Sequence, residues 1–170
     1  MIILNKKINF QHIKHNFEDL EKIKISKSLD DTKVIGRNIG SNISNGDVIL
    51  LSGDLGAGKT ELVRYIVEGS GNNSFVRSPT FVLINNYIDK NNITHCDFYR
   101  INSNTEANEL GIEEYYDSST VIIEWPEKII QNLPEDVIII KIYFTDIENE
   151  RKFMLYSTGI KSKTFIGKLK

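Results

Sequence analysis

The eight residues Gly53-Asp54-Leu55-Gly56-Ala57-Gly58-Lys59-Thr60 constrain this chain more than any other stretch, because they satisfy G-x-x-x-x-G-K-[ST] in full. A loop of this kind turns several backbone N–H groups inward around an anion, and its glycines permit dihedrals and close approaches that a side chain would block. The flanks suit it. Asp47-Val48-Ile49-Leu50-Leu51 is a short, nearly continuous apolar run, as a central strand buried on both faces requires. After the loop, Leu62, Val63, Ile66 and Val67 make one apolar helical face that stops near Gly69-Ser70-Gly71. Strand, loop and helix in that order aim the positive end of the helix at the loop. Lys59 adds a fixed positive charge for the β and γ phosphates of a nucleotide, and Thr60 offers a hydroxyl to Mg²⁺. Asp54, Leu55, Gly56, Ala57, Gly58 and Glu61 complete the loop's candidate nucleotide-binding set.

The rest of the chain reads as one α/β domain around that unit. Ser28 or Asp30 can cap a helix whose apolar residues Ile35, Ile39 and Ile43 recur every four, ending at the Asn45-Gly46 turn signal. Phe81 to Ile88 and Ile93 to Tyr99 predict two antiparallel strands joined by Asp89-Lys90-Asn91-Asn92. Val121-Ile122-Ile123, Val137 to Phe144 and Lys152 to Ser157 predict three more strands. The expectation is a three-layer fold like that of P-loop NTPases, with a mixed, mainly parallel sheet of about six or seven strands and three or four helices. Ile13, Phe17, Leu20 and the nearby Ile23 predict a short amphipathic helix over residues 11–24, and Lys161, Lys163, Lys168 and Lys170 predict a basic C-terminal tail.

A length of 170 residues suits a single domain. The formal charge of −2 is too balanced for non-specific binding of nucleic acid over the whole surface, so any contact with RNA would have to be local or indirect. Cys96 is the single cysteine; it can form no internal disulfide and lies in no zinc-type spacing, which fits a reducing cytoplasm. No run approaches the ~20 apolar residues of a membrane span, and the start Met1-Ile2-Ile3-Leu4 turns polar at Asn5-Lys6-Lys7, unlike a signal peptide. Guanine-specific P-loop proteins usually carry Asn-Lys-x-Asp; Asn5-Lys6 lacks the aspartate and lies far from the loop, so ATP is the expected nucleotide.

Four further segments fall in order after the loop: Ser78-Pro79-Thr80-Phe81, His95-Cys96-Asp97-Phe98-Tyr99-Arg100, Glu109-Leu110-Gly111-Ile112 and Ile123-Glu124-Trp125-Pro126. Together with Gly-Asp-Leu-Gly-Ala-Gly-Lys-Thr they resemble the TsaE (YjeE) family over about residues 26 to 157. The resemblance implies a P-loop ATPase domain over 26–158, between an N-terminal extension, 1–25, and the basic tail, 159–170. It implies an ATP-hydrolysing accessory subunit for threonylcarbamoyladenosine modification of tRNA, acting with TsaD and TsaB and meeting tRNA through that complex. Glu124 would hold Mg²⁺ with Thr60, in keeping with its place at the C-terminal end of an apolar strand. Asp97 matches the family's second acidic position, either a water-mediated Mg²⁺ contact or an orienter of the attacking water, unless it is a capped or paired structural aspartate near Arg100. Lys59, Asp97 and Glu124 are thus the implied catalytic set.

By the same resemblance Ser78-Pro79-Thr80 is a switch-like loop whose Thr80 could reach the γ-phosphate or the metal, whereas the residues alone also read as a plain loop-to-strand connection set by Pro79. Trp125, the only tryptophan, would lie near the nucleotide, where its ring could contact the base. His95 is expected to be structural, since no second His or Cys accompanies it at ligand spacing. The chain departs from the family at Glu61, where many members have a hydroxyl residue that meets the α-phosphate, and in the unmatched residues 1–25. Two other classes compete: a small-molecule kinase, which usually needs an arginine-rich lid not visible here, and a nucleotide-gated binding module without meaningful hydrolysis.

Overall fold

The computed structural model describes residues 20–129 and 133–170. Seven strands, β1 (Leu20–Ser26), β2 (Val48–Ser52), β3 (Ile84–Tyr87), β4 (Ile93–Asp97), β5 (Thr120–Glu124), β6 (Ile138–Phe144) and β7 (Arg151–Ser157), form one mixed sheet in the order β1-β7-β6-β2-β5-β4-β3. The four central strands, β6-β2-β5-β4, run parallel. At the flanks, β3 pairs antiparallel with β4, and β7 with both β6 and β1. The expected mixed α/β sheet is therefore present, with its parallel part confined to the strands around the glycine loop.

The continuous apolar run of β2 follows from its two covered faces: Ile49 and Leu51 enter one core cluster, Val48 and Leu50 the other. On the first face lie α1 (Leu29–Gly40), α2 (Lys59–Gly69) and α4 (Ile160–Lys168), which bury Ile39, Leu62, Ile66, Phe165 and Ile166 against the sheet. The opposite face is closed by Phe98, Ile101, Ile112 and Ile129. Here the chain makes only the short α3 (Asn104–Asn108) and 3-10 turns at Ile112–Tyr115 and Pro126–Lys128, so this third layer consists of turns and loops more than of helices.

Helix α1 starts where the sequence predicts, with Ser28 Oγ accepting from the Asp31 amide at 3.1 Å. It stops earlier than predicted, at Gly40, and Ile43 is buried beyond its end. Close packing of α1 on α2 requires Gly40 to be glycine, since a Cβ there would stand 2.0 Å from the Ile66 carbonyl oxygen. This contact seats α2, the helix that carries Lys59 and Thr60.

Two expectations change at the ends. Of the amphipathic helix predicted over 11–24, Leu20–Lys24 belongs to strand β1, and residues 11–19 lie outside the described residues. Lys22 and Lys24 alternate with Ile23 and Ile25, a period of two that suits pairing with β7, and this pairing prevails over the helical spacing. The predicted basic tail folds as α4, because Phe165, Ile166 and Leu169 all face the core. Lys161 pairs with Asp47 at 3.0 Å and Lys163 with Glu21 at 3.3 Å. Among the described residues, no helix is long and apolar enough to cross a membrane.

Candidate functional site

Because β2, β5 and β4 are parallel, Ser52, Glu124 and Asp97 end on the same edge of the sheet, where the glycine loop leaves β2. The loop closes on itself: the Ala57 amide bonds to the Asp54 carbonyl at 3.1 Å, and Gly58 takes φ 102°, a left-handed conformation suited to glycine. Helix α2 starts at the next residue, so Lys59 and Thr60 occupy its first turn. Lys59 Nζ donates to the carbonyls of Gly53 at 2.7 Å and Asp54 at 3.0 Å. Burial pushes its ammonium below the ordinary lysine range, while the carboxylates of Glu124, Glu127, Asp97 and Asp54 pull the other way.

Thr60 Oγ1 donates to Glu124 Oε1 at 2.8 Å, tying α2 to the end of β5. Beside it on β4, Asp97 accepts from the Tyr99 amide at 3.0 Å through Oδ1, and from the hydroxyls of Ser78, at 3.0 Å, and Thr80 through Oδ2. Asp97 thus pins the Ser78-Pro79-Thr80 loop to the sheet edge. Of the structural alternative, pairing with Arg100 is not made, since Arg100 lies 4.1 Å over the Phe81 ring, but capping is, since Asp97 Oδ1 accepts from the backbone amide of Tyr99. Trp125 turns the chain off β5 in a left-handed conformation, φ 59°, which is uncommon for a bulky residue. Its indole stands 3.9 Å from Lys59 Nζ and packs on Tyr99, with ring centres 5.1 Å apart.

These side chains line a cleft of about 350 Å³ that contains Leu55, Gly56, Gly58, Lys59, Thr60, Glu61, Thr80, Asp97, Glu124 and Trp125. Asp54 contributes its carbonyl, and Ala57 is buried beneath the loop. The carboxylate of Glu61 forms an ion pair with Arg64 one helical turn away, which offsets the charge that would otherwise face an anion at this position. A second hollow, about 450 Å³, shares Gly56, Gly58 and Glu61 with the cleft and extends to Lys27, Ser28, Thr32, Asn149, Arg151 and Phe153.

His95 is the residue whose part in the site the sequence does not announce. It is fully buried, and its Nε2 lies 2.9 Å from Glu124 Oε1. The expected structural histidine is therefore also in direct contact with the candidate metal ligand. An aromatic residue in a strand gives no local sign of such a partner, which only the strand register brings within reach.

Strand, glycine loop, helix and two acidic strand ends on one sheet edge together define an α/β protein of the P-loop class. A model of the family described as "Threonylcarbamoyl adenosine biosynthesis protein TsaE" matches residues 26–153, and the chain belongs to this family. The tRNA threonylcarbamoyladenosine biosynthesis protein TsaE of Rickettsia felis is 38% identical over 135 residues, which cover 78% of each chain. Its namesake in Bacillus subtilis is 37% identical over 132 residues, covering 76% of this chain and 82% of the relative. The crystal structure of Bacillus subtilis YdiB superposes with a TM-score of 0.76 at 27% identity, over 87% of this chain and 93% of that one.

Proposed function

We propose that this chain is an ATP-hydrolysing subunit for threonylcarbamoyladenosine modification of tRNAs next to the anticodon, acting with TsaD-like and TsaB-like subunits and meeting tRNA through them. The observation that carries the proposal is the bond from Thr60 to Glu124 beside a buried Lys59 at the mouth of the glycine loop. By accepting the hydrogen bond of the Thr60 hydroxyl, Glu124 leaves that hydroxyl's lone pairs free for a cation.

The donor set fits Mg²⁺. Among the described residues no group of three His, Cys, Asp or Glu side chains converges to hold a metal alone. Mg²⁺ needs no such cage, since it usually takes one or two protein oxygens and completes its shell with phosphates and water. Thr60 and Glu124 would hold it, and it would supply charge neutralisation for the phosphates. Lys59 exchanges its loop carbonyls for the β and γ phosphates, and the loop amides bind the phosphate oxygens. Asp97 orients water at the cleft and keeps Thr80 beside the terminal phosphate. The nucleoside end occupies the second hollow, reached past Glu61, with Phe153 as its apolar floor. This assignment puts Trp125 at the phosphate end.

None of the five arginines lines the cleft that holds Lys59 and Glu124. Turnover by the isolated chain is accordingly slow, and the partners complete the site. The test is multiple-turnover phosphate release by the purified chain, alone and with TsaD-like and TsaB-like subunits. Partner-stimulated release supports the proposal, whereas ATP binding without release under both conditions would reassign the chain as a nucleotide-gated binding module.

A further inference from the structure

We infer that His95 is a positioning residue for the metal end of the site: it acts through Glu124, and so the inference rests on the nucleotide-hydrolysing reading above. In the β4–β5 pair His95 stands opposite Ile122 and Asp97 opposite Glu124, so the imidazole reaches diagonally along the strands to the carboxylate. A ring nitrogen 2.9 Å from a carboxylate oxygen carries hydrogen there, and Nε2 donates to Glu124 Oε1. The same Oε1 accepts from Thr60, so both bonds hold one oxygen and orient the carboxylate, with Oε2 as the oxygen left for the cleft.

The rest of the imidazole makes no comparable contact. His95 is fully buried, yet its Nδ1 has no hydrogen-bond partner among the described residues. An apolar residue would fill the same space without an orphaned polar atom. What only a histidine, or another side chain with a donor at the same reach, supplies is the bond to Glu124. A donor behind a metal-ligating carboxylate fixes its orientation, and loss of such a partner typically costs ten- to a hundredfold in metal affinity or activity.

The experiment measures binding of a non-hydrolysable ATP analogue by calorimetry, with and without Mg²⁺, for wild type, His95→Leu, His95→Gln and His95→Asn, with thermal melts to verify folding. His95→Leu removes the donor, His95→Gln places an amide nitrogen near the position of Nε2, and His95→Asn is too short to reach. The expected result is that Mg²⁺ strengthens binding at least tenfold less in His95→Leu and His95→Asn than in wild type, that metal-free affinity stays within about twofold, and that His95→Gln recovers most of the Mg²⁺ effect. If His95→Leu fails to fold, the Gln and Asn pair decides. Equal Mg²⁺ enhancement in all folded variants, or a Gln variant no better than Asn, overturns the role of His95 while leaving the site intact. A wild type with no Mg²⁺ enhancement overturns the site reading and the inference together.

Discussion

At Glu124 one carboxylate oxygen joins two elements, accepting from Thr60 at the start of α2 and from His95 in the middle of β4. The side chain is buried, so its orientation is held by these bonds more than by solvent. Thr60→Ala and Glu124→Ala should each weaken Mg²⁺-dependent ATP binding about tenfold or more, with a much smaller effect on metal-free binding. Calorimetric titrations with and without Mg²⁺ measure this, and equal losses in both conditions would mean a general structural role. Trp125 provides a second readout. Its indole lies against the Lys59 ammonium, so transfer of that charge to phosphates should alter the emission of the only tryptophan. Unchanged emission at saturating ATP would remove Trp125 from the phosphate end.

Residues at this scale differed in how legible they were. Lys59 and Thr60 could be read from an unbroken motif, and Glu124 and Asp97 from strand ends together with the family pattern. His95 could not be tied to Glu124, because their contact depends on the register of two strands distant in sequence.

Among the elements, β2, β5 and β6 were plain in the sequence because burial on both faces writes itself as runs of Val, Ile and Leu. Strand β1 was hidden by an apolar spacing compatible with a helix, and its pairing with β7 is a long-range event. Helix α4 was hidden because its three lysines are matched by only three apolar residues, and because its cap comes from elsewhere. Gly159, just before the helix, has no side chain to cap it, and a Cβ there would lie 2.2 Å from Asp136 Oδ2. Asp136 takes over, accepting from the Lys161 and Ser162 amides at 2.8 and 2.9 Å.

Burial of Asp136 opposes its ionisation, but the bonds from Ser162 and Lys161 and the charge of Lys161 outweigh it and hold the carboxyl below the ordinary aspartate range. A carboxyl with a depressed native pKa stabilises the fold above its unfolded value, about 3.9, and this contribution is lost as pH falls through the native value. Asp136→Ala should therefore cost about 1 kcal/mol at neutral pH, with the gap to wild type closing below pH ~4. Denaturant melts across that range check it; a gap that persists undiminished in acid would mean that the ionised carboxylate is not the cap.

For the whole molecule, the fold class was legible because strand, glycine loop and helix admit few arrangements around a parallel sheet centre. The second hollow was not. It draws Lys27 and Ser28 from the turn between β1 and α1, and Asn149 and Arg151 from the β6–β7 hairpin, segments that meet only because β1 and β7 are neighbours. The sheet order thus brings the turn after β1 and the β6–β7 hairpin to the same edge as the glycine loop, next to the cleft that ends at Glu124. The central claim is that this edge binds the phosphates of ATP through the loop and Lys59. Calorimetric titration of ATP with Mg²⁺ into wild type and a folded Lys59→Ala variant tests it most directly. Wild type should show one saturable site and the variant at least about a tenfold loss of affinity, the order expected for removing a charge-assisted bond; equal affinity in the two proteins would contradict phosphate binding by Lys59.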